Sequence, residues 1–217
     1  MRYIFFLFVI FTINKAFTQI EFDDYFVPKT LRIDYQHAGN ADTALIYFQK
    51  IKQEPFWGGS QKNLVDDINY GDYRVMVYDT ATSKLIYSRG FATLFQEWRT
   101  TDEAKKINKS FYEVLVVPYP RKTVLIKIQE RDKQNNFNDV FELYVDPDNY
   151  FIEENQVYDF ETFQVVKNGD PKNMVDIAFI AEGYTSEQIK KFREDAEKFA
   201  GYLFEYSPFK ENQKKFN

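Results

Sequence analysis

Chemistry in this chain has few places to reside. The 217 residues hold one histidine and no cysteine. A zinc hydrolase takes two or three imidazoles, or thiolates in their place, and an H-E-x-x-H helix supplies two of them at once. No such helix is written here, and His37, beside Gly39-Asn40, is expected on a polar surface loop. Adjacent acids recur at Asp23-Asp24, Asp66-Asp67, Asp102-Glu103 and Glu153-Glu154. Neighbours in an extended chain point to opposite sides, so adjacency alone makes no catalytic pair, and these are read as solvated surface. Asp146-Pro147-Asp148-Asn149 lacks the ordered spacing of a calcium loop and reads as a turn. No serine sits in a G-x-S-x-G elbow. The expected catalytic residues and metal ligands within the chain are therefore none.

Two weaker candidates remain. Glu182 follows a strongly apolar run and precedes a helix start, with Gly183 and Tyr184 completing the turn. In open α/β sheets sites gather at that end of the strands. A carboxylate stabilised by the helix dipole explains Glu182 equally simply. Trp57, in Phe56-Trp57-Gly58-Gly59-Ser60, and Trp98 are candidate aromatic contacts for a glycan or a protein, against the ordinary role of packing in a core or between domains.

These residues need elements to position them. Met174–Ala181 is nearly all apolar, the pattern of a strand covered on both faces, usually in a parallel sheet. Thr185 stands three residues before Gln188, the capping-box spacing. Ile189, Phe192, Ala196, Phe199, Leu203 and Tyr206 then fall on one helix face, and Ser207-Pro208 is the expected stop. A doubly covered strand and its helix need further strands. The unit is accordingly expected to open a second domain of a longer protein.

Before it, Leu31 to Val145 alternates apolar and polar residues in seven short runs. They start near Leu31, Thr43, Tyr73, Lys84, Phe111, Val124 and Val140, and Pro118-Tyr119-Pro120 is expected to end the fifth. Thr80–Ser83 makes a hairpin of the third and fourth. A helix is expected near Asp102–Asn108, and an extended stretch over Tyr158–Val166. The fold class is thus mainly β: an antiparallel β-sandwich followed by a short α/β strand-helix segment. The domain limits are 1–18 for a signal peptide, 19–155 for the sandwich and 156–217 for a linker and the truncated start of the second domain.

The signal-peptide reading rests on Arg2 followed by the apolar run Ile4–Ile13, too short to span a bilayer. The expected address is secreted, periplasmic or extracellular, with no membrane association once the signal is removed. A net charge of −5 argues against a general nucleic-acid partner.

The run Asp176–Thr185, then Lys191-Phe192, Asp195-Ala196, Leu203-Phe204 and Pro208-Phe209, resembles the opening of the catalytic domain of bacterial secreted zinc metallopeptidases called IgA peptidases. Leu31-Arg32, Trp57-Gly58-Gly59-Ser60, Tyr87-Ser88-Arg89-Gly90-Phe91, Glu97-Trp98 and Pro118-Tyr119-Pro120 are similar to the sandwich that precedes it in that family. The resemblance implies a zinc-dependent parent whose H-E-x-x-H helix lies downstream of this unit. No ligand or catalytic residue carries over to this chain. Its implied partners are the rest of its own peptidase domain and a protein or peptide substrate. The alternative is a non-enzymatic secreted sandwich that binds glycan or protein.

Overall fold

A computed structural model of the chain describes residues 20–154 and 160–217. The signal-peptide reading and the domain boundary near Asn155 fall outside the described residues.

The alternating runs form two four-stranded sheets. A short helix α1 (Phe22–Tyr25) leads into β1 (Phe26–Gly39), followed by β2 (Ala44–Glu54), β3 (Tyr73–Asp79) and β4 (Leu85–Phe91). Helix α2 (Leu94–Arg99) precedes β5 (Lys109–Pro120), β6 (Val124–Arg131), β7 (Phe137–Val145) and the two-residue β8 (Glu153–Glu154). The first sheet has the order β5-β1-β2-β8 and the second β4-β3-β6-β7. Every pairing is antiparallel except β2 with β8. Residues two apart share a face. Leu31, Ile33 and Tyr35 therefore bury together against Val75, Val77 and Ile126 from the other sheet. Each fully buried aliphatic side chain of this kind contributes about 1.5–3 kcal/mol.

The strands differ from the sequence expectation at their ends. β5 continues through Pro118 and Pro120 instead of stopping before them. Proline is tolerated on an edge strand where its missing N–H would face away from the ladder, and β5 is an edge. The helix lies at Leu94–Arg99, and residues 102–106 form turns. Thr93 starts it, its Oγ1 accepting from the Gln96 N–H at 3.1 Å. Phe95 and Trp98, one turn apart, give it a buried face. Residues 160–166 form no strand.

His37 is the main correction. It lies on β1 in phase with Leu31, Ile33 and Tyr35, and is 1% exposed rather than on a surface loop. Its Nδ1 is 3.0 Å from Glu113 Oε2 on β5. The other oxygen of Glu113 accepts from the Phe95 N–H in the first turn of α2, at 3.1 Å. On the far side of the ring, the Tyr73 hydroxyl lies 3.4 Å from Nε2 and donates to Gln96 Oε1 at 3.3 Å. Arg99 Nη1 donates to Gln96 Oε1 at 3.0 Å and to Glu130 Oε1 at 2.6 Å. Phe95 stacks on the imidazole with centroids 4.1 Å apart. This network ties β1 and β5 of one sheet to β3 and β6 of the other through α2. Burial alone would raise the Glu113 carboxyl; hydrogen bonds from His37 and the Phe95 N–H outweigh it and hold the group below its ordinary value of 4.5.

The C-terminal part begins with a 3₁₀ turn, Pro171–Asn173, capped by Asp170. A second 3₁₀ turn, Ser186–Gln188, runs directly into α3 (Ile189–Leu203); α4 (Phe209–Asn212) and a 3₁₀ turn at Gln213–Lys215 follow. The helix starts where the Thr185–Gln188 spacing predicts, Gln188 Oε1 accepting from the Thr185 N–H at 3.1 Å. It ends at Leu203, before Ser207-Pro208. Its buried residues are Ala196 and Ala200, with Phe192 and Leu203 half-buried beside them, whereas Phe199 is 54% exposed and Tyr206 is also exposed. Met174–Ala181 is not a buried strand. Ile180 is 85% exposed, and the ladder partner among the described residues is a single parallel bridge from Val175 to Phe216. The Val175 N–H donates to Lys215 O at 2.8 Å and the Ile177 N–H to Asn217 O at 3.0 Å.

Two predictions follow from these arrangements. Because the folded pKa of Glu113 is depressed, the network's contribution is present above the ordinary carboxylate range and is lost as pH falls through and below it. Urea unfolding at pH 7 should show Glu113→Gln destabilised by about 2–4 kcal/mol, since a buried charged partner is removed. That difference should shrink below about pH 4.5; a difference independent of pH would mean that the carboxylate's charge does not support the network. In limited proteolysis, residues 160–217 should be trimmed well before the sandwich, because few of their apolar side chains are buried. Equal resistance of α3 and of the sandwich core would contradict this.

Candidate functional site

The turn at Glu182–Tyr184 is where the sequence places a site. Gly183 adopts φ +80°, the left-handed region, and a Cβ there would meet open space, so glycine serves the backbone conformation and not a close approach. The reversal brings Tyr184 onto α3. Its hydroxyl donates to Asp195 Oδ2 at 2.9 Å, Lys191 pairs with the same oxygen, and its ring packs on Phe192 at 5.2 Å. The hydrogen bond to Asp195 raises the Tyr184 phenol, while Lys191 and then Tyr184 lower Asp195. A raised phenol is the reverse of an activated nucleophile, so these groups lock the turn to the helix. Glu182 is exposed and takes no part in that cluster. The structure thus brings Gly183 and Tyr184 into one local assembly and leaves Glu182 outside it.

Next to this turn lies an apolar groove of about 320 Å³, between residues 161–166, the extended residues 176–179 and α3. Phe163, Val165, Ile177, Phe179, Phe192 and Ala196 line it. Its outer wall is held to the helix by an ion pair between Arg193 and Glu161, with the guanidinium 5.1 Å from the Phe163 ring. The sequence signalled the helix face and an extended stretch over Tyr158–Val166, but not that Glu161 and Phe163 would meet the helix to wall a groove. The groove offers apolar contact and no convergent acid, base or nucleophile.

The tryptophans sit elsewhere. Trp57 is half-buried against the sandwich core, edge-on to Tyr87 at 5.9 Å, and its Nε1 donates to Ser60 O at 3.2 Å. Gly59 follows because a Cβ there would lie 2.3 Å from the indole. Trp98 is 8% exposed; it packs with Phe95 and Ala104, and its Nε1 donates to Glu103 Oε2 at 2.7 Å. The ring of Trp98 belongs to a small satellite core. Neither indole lies open as a stacking platform.

The described residues do not fit a zinc ion. No group of three His, Cys, Asp or Glu among them could hold a metal. Both ring nitrogens of His37 face protein partners, Glu113 and Tyr73, beneath Phe95. No helix among the described residues is long and apolar enough to cross a membrane.

No curated protein matches this chain. Two family models do, in order along the sequence. The one described as Peptidase M64 N-terminus matches residues 21–142, and the one described as IgA Peptidase M64 matches residues 163–217. The first match covers most of the sandwich and the second the groove, the Glu182–Tyr184 turn and α3. Since the first alone spans more than half of its length, the chain belongs to the IgA Peptidase M64 family and carries its N-terminal region together with the start of its catalytic region.

Proposed function

We propose that this chain is the N-terminal accessory domain and the beginning of the catalytic domain of a secreted bacterial zinc metallopeptidase. Residues 1–18 act as its signal peptide, 19–155 as the sandwich, and 156–217 as the linker and first strand-helix unit of the peptidase domain. The observation that carries the reading is the parallel bridge from Val175 to Phe216 across α3, inside the region that matches the peptidase family. It joins two extended segments in parallel across a helix, the arrangement from which a parallel sheet grows. The apolar groove and the uncovered side chains of Ile177 and Phe179 then become interior once further strands are added. Zinc and its ligands belong to the parent enzyme and not to the described residues. The sandwich contributes positioning, of the peptidase domain or of a peptide substrate, without chemistry of its own.

A direct test compares two tag-free proteins: the 217-residue chain without its signal, and the same chain extended through whatever reading frame follows Asn217. The shorter protein should retain far less than one zinc per chain and hydrolyse no unfolded protein substrate. The longer one should carry an H-E-x-x-H helix, bind one zinc per chain and lose hydrolysis to a chelator. Stoichiometric zinc in the shorter protein, or a following frame without that motif, would overturn the proposal.

A further inference from the structure

The two sheets have four open sides, and on three of them something hinders the addition of another strand. β4 is closed by the chain itself: the Ser88 N–H donates to Leu64 O at 2.9 Å, the Asp66 N–H to Ser88 O at 3.2 Å, and the Gly90 N–H to Asp66 Oδ2 at 2.9 Å. β7 has a register shift that leaves Val140 unpaired, with Asp139 and Glu142 on either side. β2 has a shift at Gln49, carries Lys50 and Lys52, and is partly covered by β8. Bulges, charges and covering segments are the usual means by which an edge strand is kept from pairing.

β5 has no such protection along most of its length. It pairs with β1 without a shift from Pro118 to Lys109, and no described residue pairs with its other side. On the outward face it presents Tyr112, Val114 and Val116, all exposed. The Tyr112 hydroxyl donates to the buried Asp34 carboxylate of β1, which fixes the ring on the outward face of the sheet. Pro118 has no N–H to give to β1 and stands in phase with Ser110, Tyr112, Val114 and Val116. That phase directs the N–H and C=O groups of these four residues toward the open edge.

We propose that this edge is closed by β5 of a second copy of the chain, antiparallel about a two-fold axis through Val114, so that the two first sheets become one continuous sheet. The strand is self-complementary in that register. Val114 faces Val114 of the copy, Tyr112 faces Val116, and Ser110 faces Pro118, whose carbonyl can still accept. An aromatic side chain opposite a β-branched one is a favourable cross-strand pair. Lys109 faces Tyr119, so no like charges meet, whereas an axis moved one residue to Glu113 would oppose two carboxylates. An isologous contact of this kind closes on itself and stops at the dimer.

Because Val114 faces itself, the test can be made specific to the register. Sedimentation equilibrium of the 217-residue chain without its signal should show a monomer–dimer equilibrium. Val114→Lys and Val114→Glu should each weaken dimerisation by about tenfold or more, since each places like charges directly opposite. Mixing the two variants should restore a dimer containing one of each. Val114 is exposed in the single chain, so circular dichroism at low concentration should show the wild-type fold for both variants. Val114→Glu stands across from Asp34 on β1 and should lower the thermal midpoint, whereas Val114→Lys should keep it near the wild type and serves as the control for an intact fold. A wild-type chain that remains monomeric at high concentration would overturn the proposal. So would a dimer that both variants leave unchanged.

Discussion

The charge on Glu113 is the constraint from which much of the sandwich follows. A carboxylate taken out of water must find donors, and at this position β1 and α2 supply its surroundings. His37 comes from the adjacent strand, the Phe95 N–H from the first turn of α2, and Tyr35 packs close enough for the carboxylate to raise its phenol beyond what burial alone does. The helix is only six residues long. It holds its place because its first turn donates to Glu113, Phe95 stacks on His37, and Arg99 reaches across to Glu130. One acid therefore closes an end of the sandwich that apolar packing would leave as two separate sheet edges. The arrangement resembles a catalytic constellation in composition, yet the imidazole at its centre is 1% exposed and lies beneath Phe95. Its role is to fix the relative position of the two sheets.

A second buried carboxylate, Asp34, makes the same argument on the other face of β1. Its side chain is fully covered although it lies on the outward side of the sheet. Burial would raise it, but the Tyr112 hydroxyl and the Arg32 guanidinium hold it below the usual carboxylate range. Lys52 adds a more distant cation at 3.8 Å. The first sheet is thus bound by charge on its solvent face and by apolar contact on its inner face. Its outer edge along β5 stays open, while the opposite side accepts Glu153 and Glu154 as a short parallel strand.

The C-terminal part follows different rules. Its helix forms because local signals suffice: a Thr–Gln start, good helix formers and an alanine face. The stretch before it has the composition of a strand but only one neighbour to pair with. Helices close their hydrogen bonds internally, whereas strands depend on what lies beside them. This difference explains why α3 is well formed while Met174–Ala181 is merely extended.

What the sequence determines by itself is whatever rests on local periodicity. Alternation placed β3, β4 and β6 close to their observed limits, the Thr80–Ser83 turn made the hairpin, and the Thr185–Gln188 spacing marked the start of α3. The family resemblance could also be read there, because ordered short motifs survive without any knowledge of contacts. The tertiary structure alone decided the rest. His37 continues the inward phase of Leu31, Ile33 and Tyr35, a signal that could have placed it, but its polarity and the neighbouring Gly39-Asn40 pointed to a loop. Its burial became favourable only because Glu113, 76 residues away, supplies a charged partner. Trp98 looks the same in sequence whether it faces solvent or a satellite core, and only the Thr93 cap and the packing of Phe95 turn it inward. The groove beside α3 needs Glu161 and Arg193, 32 residues apart, to meet. Burial of a polar group, the cover of a strand and the closing of an edge all depend on partners distant in the chain, and local spacing carries no record of them.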